Sequence, residues 1–300
     1  MDVSKDKLDA YCHEWGAPRV FANTAEGLAQ LHSQLPDGTH IVCEASGGYE
    51  KPLLEDAWAR GCAVSRVNPA RVRYYAKAMG LQAKTDPIDA ELITLFAEAK
   101  APAPADAPTR VQRELCAAVR RRTRVACEIA AQKTALGREA DAWVKRDIRA
   151  TLTFLRKRSD KLEEHIDRLI ASCAELAGKR RLMMGVKGVG KVSSAIVLGE
   201  CRELGQITDA QAASLAGLAP FNRDSGTKRG ARSVMGGRGA LRRALYMPAM
   251  CASRHNPILR EFYTRLIEKG KPHHVAITAV MRKLICLLNR LLADPDFELS

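Results

Sequence analysis

An α/β front, a middle of long helices and a mainly helical rear are what this sequence of 300 residues predicts. Three observations carry that reading. Short strand-like and helix-like segments alternate from residue 1 to 67, three prolines fall within residues 101–109, and none occurs from 110 to 179. Alternation of short apolar runs with amphipathic ones builds a layered sheet. A proline cluster interrupts regular structure, and a long proline-free run rich in Ala, Leu, Ile, Arg and Glu is free to be helix.

The elements follow in order. After a first strand headed by Asp2, DKLDAYCHEW (6–15) and PRVFANT (18–24) read as strands, and TAEGLAQLHSQL (24–35) has helical spacing. THIVCE (39–44) is a compact apolar strand, YEKPLLEDAWARG (49–61) a helix closed by Gly61, and CAVSRVN (62–68) another strand, with helices from Pro69 onward. The order β-β-β-α-β-α-β is the ribonuclease-H-like one, three antiparallel strands followed by parallel additions. The APAPADAPT segment (101–109) separates a front domain, 1–105, from a helical or coiled-coil segment, 106–179. A third domain, 180–300, ends in an amphipathic helix through Val275, Ala279, Val280, Leu284, Leu287 and Leu291, which reads as core packing.

Charge separates these regions. The chain carries 48 Lys and Arg against 34 Asp and Glu, a formal charge of +14, and its 46% apolar content excludes a disordered chain. Residues 1–100 hold 11 basic and 14 acidic side chains, residues 101–300 hold 37 and 20. A basic rear fits a polyanionic partner, because phosphate neutralisation is the commonest use of clustered Lys and Arg. The run Arg120, Arg121, Arg122, Arg124 reads first as a solvated helix face and second as a stripe toward nucleic acid. Nine widely spaced cysteines without a C-x-x-C pair read as reduced core thiols, and a charged N-terminus with no long apolar run leads us to expect a soluble, cytoplasmic protein without membrane contact.

Four carboxylates stand where chemistry would want them: Asp2, Glu44 at the end of THIVCE, and Asp86 and Asp89 in KTDPIDAEL. Clustered carboxylates repel unless a hard divalent cation lies between them, so in a phosphate-handling protein they suggest magnesium. The plainer reading is a helix start, with Asp86 as N-cap, Pro87 first in the helix and Asp89 an acid at its third position; the two readings are compatible. GVKGVGKVSSAIVLGE (185–200) has the pattern of a helix-hairpin-helix, in which Gly188, Gly190 and Lys191 would receive a DNA phosphate at the helix start. It fails as a phosphate-binding ATPase loop because Lys191 is followed by Val192. From 221 to 243 seven basic residues face one acid in a glycine-rich stretch, and Arg223, Lys228, Arg229, Arg232, Arg238 and Arg242 are its candidate phosphate contacts. Ser225 lies in its middle and reads on its own as a turn serine, since no base accompanies it; Ser233 is a second hydroxyl in the same stretch.

Taken together, MDVSK (1–5), CEASGGY (43–49), VNPARVR (67–73), GLQAKTDPIDA (80–90) and AGLAP (216–220), followed by Ser225-Gly226, Gly230 and Arg242, resemble one family across essentially the whole chain. It is the IS one-ten family of bacterial insertion-sequence transposases, with a RuvC-like DEDD front domain. The resemblance implies that Asp2, Glu44, Asp86 and Asp89 bind a divalent metal, Mg2+, and that Ser225 is the serine of the C-terminal transposase domain. It also implies DNA recombination in a bacterial, nucleoid-associated protein guided by a structured bridge RNA that pairs with target and donor DNA, and a phosphoserine link to DNA during strand exchange. Recombination needs two DNA partners, so the long helices from Arg110 to Lys179 are expected to join a homo-oligomer, dimer or tetramer, with an intramolecular helical hairpin as the alternative. The chain departs from the family in offering only Met1 where an apolar half-strand, typically Gly-Ile, precedes the first acid, and GVKGVG where the hairpin has a proline-glycine form. The competing reading is a non-catalytic or degenerate helix-hairpin-helix protein binding DNA or junctions. A proofreading-type exonuclease is disfavoured because Val3 and Ser4 follow Asp2 where that class needs Asp-x-Glu.

Overall fold

A computed structural model describes residues 1–81, 86–221 and 233–297, and the chain divides into two compact units, Met1–Pro108 and Thr109–Ser300. In the first unit β1 (Asp2–Val3), β2 (Lys7–Ala10) and β3 (Arg19–Ala22) form an antiparallel meander, with Asp2 opposite Asp9 and Leu8 opposite Phe21. β4 (Ile41–Glu44) pairs in parallel with β5 (Val64–Val67), Glu44 beside Val67. The buried Met1 amine donates to the Val42 carbonyl at 2.8 Å and joins β1 to β4. The strand expected over 6–15 is shorter than its apolar pattern, because His13–Trp15 close a 3-10 turn on Gly16, whose φ of 67° stops extension.

The strands thus form a three-stranded and a two-stranded sheet, and four helices pack on them. α1 (Ala25–Gln34) starts on Thr24, whose side chain accepts from the Gly27 amide, α2 (Lys51–Ala59) follows β4, and α3 (Pro69–Ala78) starts on Asn68 with Pro69 in its first turn. α4 (Asp86–Lys100) packs on β1, β2 and β4. Along β4 successive side chains enter different cores: Ile41 and Cys43 join Leu31 and Leu53, while Val42 joins Val72, Ile93 and Phe96. A strand covered on both faces reads as a continuous apolar run, which is why THIVCE shows no alternation.

The second unit opens with α5 (Arg110–Arg138) and α6 (Ala142–Ala171), joined by a three-residue turn and antiparallel, since Arg122 meets Glu163. A reciprocal capping box of Thr109 and Gln112 starts α5, and Asp141 caps α6. Leu115, Val119, Ile166 and Ile170 enter one core with the later helices, whereas Trp143 and Phe154 on α6 are 69% and 61% exposed. α7 (Ala174–Gly185), α8 (Lys191–Glu200), α9 (Asp209–Leu215), α10 (Gly239–His255), α11 (Pro257–Glu268) and α12 (His273–Ala293) complete that core. On α12 Val280, Leu284 and Leu287 are buried as expected and Ala279 and Leu291 half-buried, Ala276, Ile277 and Leu288 add to the buried stripe, and Val275 is exposed. Among the described residues no helix is long and apolar enough to cross a membrane.

The cysteines are all free, as expected, but not all are core: Cys127 and Cys251 are exposed. Burial pushes the thiols of Cys43 and Cys201 up to about 11 and about 12, so these two behave as inert packing groups.

Candidate active site

Three of the four expected acids are described, and they share one neighbourhood in the first unit. Asp2 lies on β1, where its Oδ1 accepts from the Val3 amide at 2.9 Å; Glu44 ends β4, and Asp89 is half-buried in the first turn of α4. Burial pushes the Glu44 carboxyl above its ordinary value, and the charge of Asp2 adds to the rise; Arg73 opposes it, Asp89 adds again, and the terminal amine opposes. The fourth acid, Asp86, is the first residue of α4 and so lies within the helix, and its side chain lies outside the described residues. Among the described residues no three His, Cys, Asp or Glu side chains lie close enough together to hold one ion. The donor chemistry fits a hard cation nonetheless: all oxygen, all anionic, with Glu44 raised by its own neighbours.

Glu50 escaped the motif reading. Its carboxylate, 3% exposed, accepts from the amides of Ser46 at 3.2 Å and Gly48 at 2.8 Å and pairs with Arg66 at 3.2 Å. Gly47 and Gly48 have φ of 71° and 118°, a left-handed path that turns those amides toward it. Burial works to raise Glu50, but the amides and Arg66 outweigh it and hold the carboxyl below its ordinary value. The chain leaving Glu44 is thus fixed by an internal anion.

In the second unit α7 and α8 flank the short turn 186–190. Gly188, at φ 110°, lies against α10, where an added Cβ would meet the Pro248 carbonyl at 2.8 Å and the Ala252 amide at 2.9 Å. Its role is therefore close packing. The Gly190 amide donates to Ser193 Oγ at 3.0 Å, and Lys191 opens α8 exposed to solvent. β6 (Pro220–Phe221) pairs antiparallel with β7 (Ser233–Val234), and the basic loop runs between them. Ser225, Arg223, Gly226, Lys228, Arg229, Gly230 and Arg232 lie outside the described residues. Ser233 is exposed on β7 opposite Phe221.

The two arginines after this loop hold protein groups. Arg238 forms two hydrogen bonds to the Glu203 carboxylate, at 2.5 and 2.8 Å, and donates to the Glu200 carbonyl at 2.6 Å. Arg242 donates to the Gly236 carbonyl at 2.9 Å. The arginine run on α5 is likewise paired: Arg120 is bidentate on buried Glu200, Arg122 binds Glu163, and Arg121 reaches Glu128 at 3.4 Å. That stripe is in good part a set of ties between helices and not a solvated face.

Two strand-borne carboxylates and one in the first turn of a helix neighbour one another in an α/β unit that a strongly basic helical unit follows, the features of a protein that handles nucleic acid, and the known proteins this chain resembles are transposases and gene-inverting proteins. Residues 1–138 match a DEDD-type family described as Transposase, and residues 180–264 match Transposase IS116/IS110/IS902 family. The chain belongs to the IS110 family of transposases. It is 28% identical over 302 aligned positions to the pilin gene-inverting protein of Moraxella bovis, covering 96% of this chain and 92% of that one, and equally to the protein of that name from Moraxella lacunata. An insertion element IS110 protein of 43.6 kDa from Streptomyces coelicolor is 30% identical over 150 residues, 49% of this chain and 36% of its own.

Proposed function

We propose that this chain is a bridge-RNA-guided DNA recombinase of an insertion sequence, in which Asp2, Glu44, Asp86 and Asp89 hold divalent metal on a ribonuclease-H-like unit and Ser225 is the nucleophile. The observation that carries the reading is the Glu44 carboxyl, raised by burial and then by Asp2, with Arg73 opposing and Asp89 adding again: carboxylates whose charges bear on one another favour a cation beside them. A bound magnesium ion would offset charge on the scissile phosphate and lower the proton affinity of an attacking hydroxyl. The chain's own groups do the rest. Ser225 Oγ attacks phosphorus, a serine–phosphate bond forms as the strand's phosphorus–oxygen bond breaks, and a second strand's hydroxyl reverses the exchange. Gly226 and Gly230 let the loop approach the phosphate, and Arg223, Lys228 and Arg229 offset the charge of the pentavalent transition state. Gly190 and Lys191 of the hairpin, with Arg232, add phosphate contacts, while Gly188 seats the turn against α10 and Arg238 and Arg242 hold protein groups.

A homo-oligomer completes the reading, since strand exchange brings two DNA partners together; the exposed Trp143 and Phe154 on α6 supply an apolar face for it. The test uses full-length protein with bridge RNA and both DNAs. Ser225→Ala is expected to abolish the covalent protein–DNA species while leaving RNA and DNA binding intact, and a chelator is expected to abolish cleavage without abolishing binding. Adduct formation by Ser225→Ala would return Ser225 to a turn residue. Cleavage that persists with the chelator would remove the metal from the mechanism, and binding without cleavage in either condition would favour the binding-only reading.

A further inference from the structure

Between α11 and α12 the second unit holds an open trough of about 520 Å³. Ile258, Leu259, Phe262, Ala279 and Leu287 make its floor, and Phe297 closes one end. Three exposed cations of α12, Arg282, Lys283 and Arg290, stand on its rim. Arg290 is paired with Asp209 at 2.7 Å, but among the described residues no carboxylate lies within ion-pair distance of Arg282 or Lys283. The Lys283 ammonium rests 4.5 Å and the Arg265 guanidinium 5.5 Å from the centroid of the Phe262 ring, and a phosphate would readily draw Lys283 off it.

We propose that this trough seats a single strand of DNA, its phosphates on Arg282, Lys283 and Arg290 and an unpaired base laid over Phe262. The proposal rests on the reading of the chain as a DNA recombinase. An apolar floor beneath a cationic rim is the pairing that unstacked bases and their backbone require, whereas a duplex shows a protein surface mainly its phosphates. Lys283 and Arg290 are separated by seven residues of one helix, about 10 Å along its axis, so their charges follow a strand along the trough instead of meeting at one point. No hydroxyl or amide side chain lines the trough, its one carboxylate, Asp209, is held by Arg290, and a family that recombines DNA supplies the DNA strand. An acidic peptide would satisfy the rim, but it has no planar group for the ring.

The experiment titrates full-length protein with a fluorescent oligothymidylate of about twenty nucleotides, across a salt series. The double variant Arg282→Gln/Lys283→Gln, altered only at exposed positions, is expected to bind more weakly and to lower the log–log salt slope by about 1.4, the loss of two single-strand phosphate contacts. Phe262→Leu is expected to weaken the single strand roughly tenfold while leaving a duplex of the same length unaffected. An unchanged affinity and slope in the double variant would overturn the site. Equal losses on single strand and duplex in Phe262→Leu would reduce it to a charged patch, and tighter binding of oligouridylate, or displacement of the strand by polyglutamate, would give the trough to another partner. Metal-dependent cleavage by the same preparation tests the recombinase reading separately, so either can fail alone.

Discussion

Glu44 and Glu50 bracket one glycine turn, and their surroundings push them in opposite directions. Glu44 is raised, first by burial and then by Asp2; Glu50 is lowered, because two amides and Arg66 overcome its burial. A carboxyl depressed in the folded state stabilises it above the ordinary carboxylate range, and that contribution is lost as pH falls through the depressed value. Glu50→Gln is therefore expected to cost about 3 kcal/mol at neutral pH, the loss of a buried, charge-assisted cluster. The difference from the wild type should shrink in acid; urea midpoints for both proteins from pH 7 down to the carboxylate range check this, and a difference independent of pH would count against it. Glu44 was legible in the sequence as the acid ending a compact apolar strand. Glu50 was not, because its partners are backbone amides whose direction is set by the left-handed path of Gly47 and Gly48, and a side-chain motif records none of that.

At the scale of elements, the long helices of the second unit were readable from composition, but what ties them was not. The arginine run on α5 looks uniform, yet its members differ: Arg120 crosses to Glu200 on α8, Arg122 to Glu163 on α6, and Arg121 only to Glu128 on its own helix. Partners 80 and 41 residues away leave no local signal for the first two. Glu200 is 5% exposed, so removing its partner strands a charge, while the pair of Arg121 is screened by water. Arg120→Ala is therefore expected to cost about 2 kcal/mol and Arg121→Ala less than about 0.5 kcal/mol, read as shifts in the urea midpoint. Equal shifts would show that the run is a solvated face after all. The same reasoning moves Arg238 from the candidate phosphate contacts to the framework, since Glu203 and the Glu200 carbonyl already hold its guanidinium. Burial favours losing its proton, but Glu203 outweighs that and raises it above its ordinary value.

Over the whole molecule charge is partitioned along the unit boundary. Met1–Pro108 holds 11 basic and 15 acidic residues, a net −4, and Thr109–Ser300 holds 37 and 19, a net +18. The unit that gathers the acids is thus repelled by the polymer it is proposed to cut, and retention on DNA or RNA falls to the other. Several of the second unit's arginines are committed to Glu163, Glu200 and Glu203, whereas Lys191 at the start of α8 and Arg282 and Lys283 on α12 are exposed without an ion pair among the described residues. Counterion release makes such binding fall steeply with salt, with a slope near 0.9 per phosphate neutralised on a duplex. A fragment of residues 109–300 is therefore expected to bind duplex DNA nearly as well as the full chain and with nearly its salt slope. A fragment of residues 1–108 is expected to bind weakly at every salt concentration, even with magnesium present. Filter binding or anisotropy over a salt series measures both. Tight, salt-insensitive binding by the front fragment would mean that the acidic unit itself grips nucleic acid through neutral or shape contacts, and the division of labour between the units would fall.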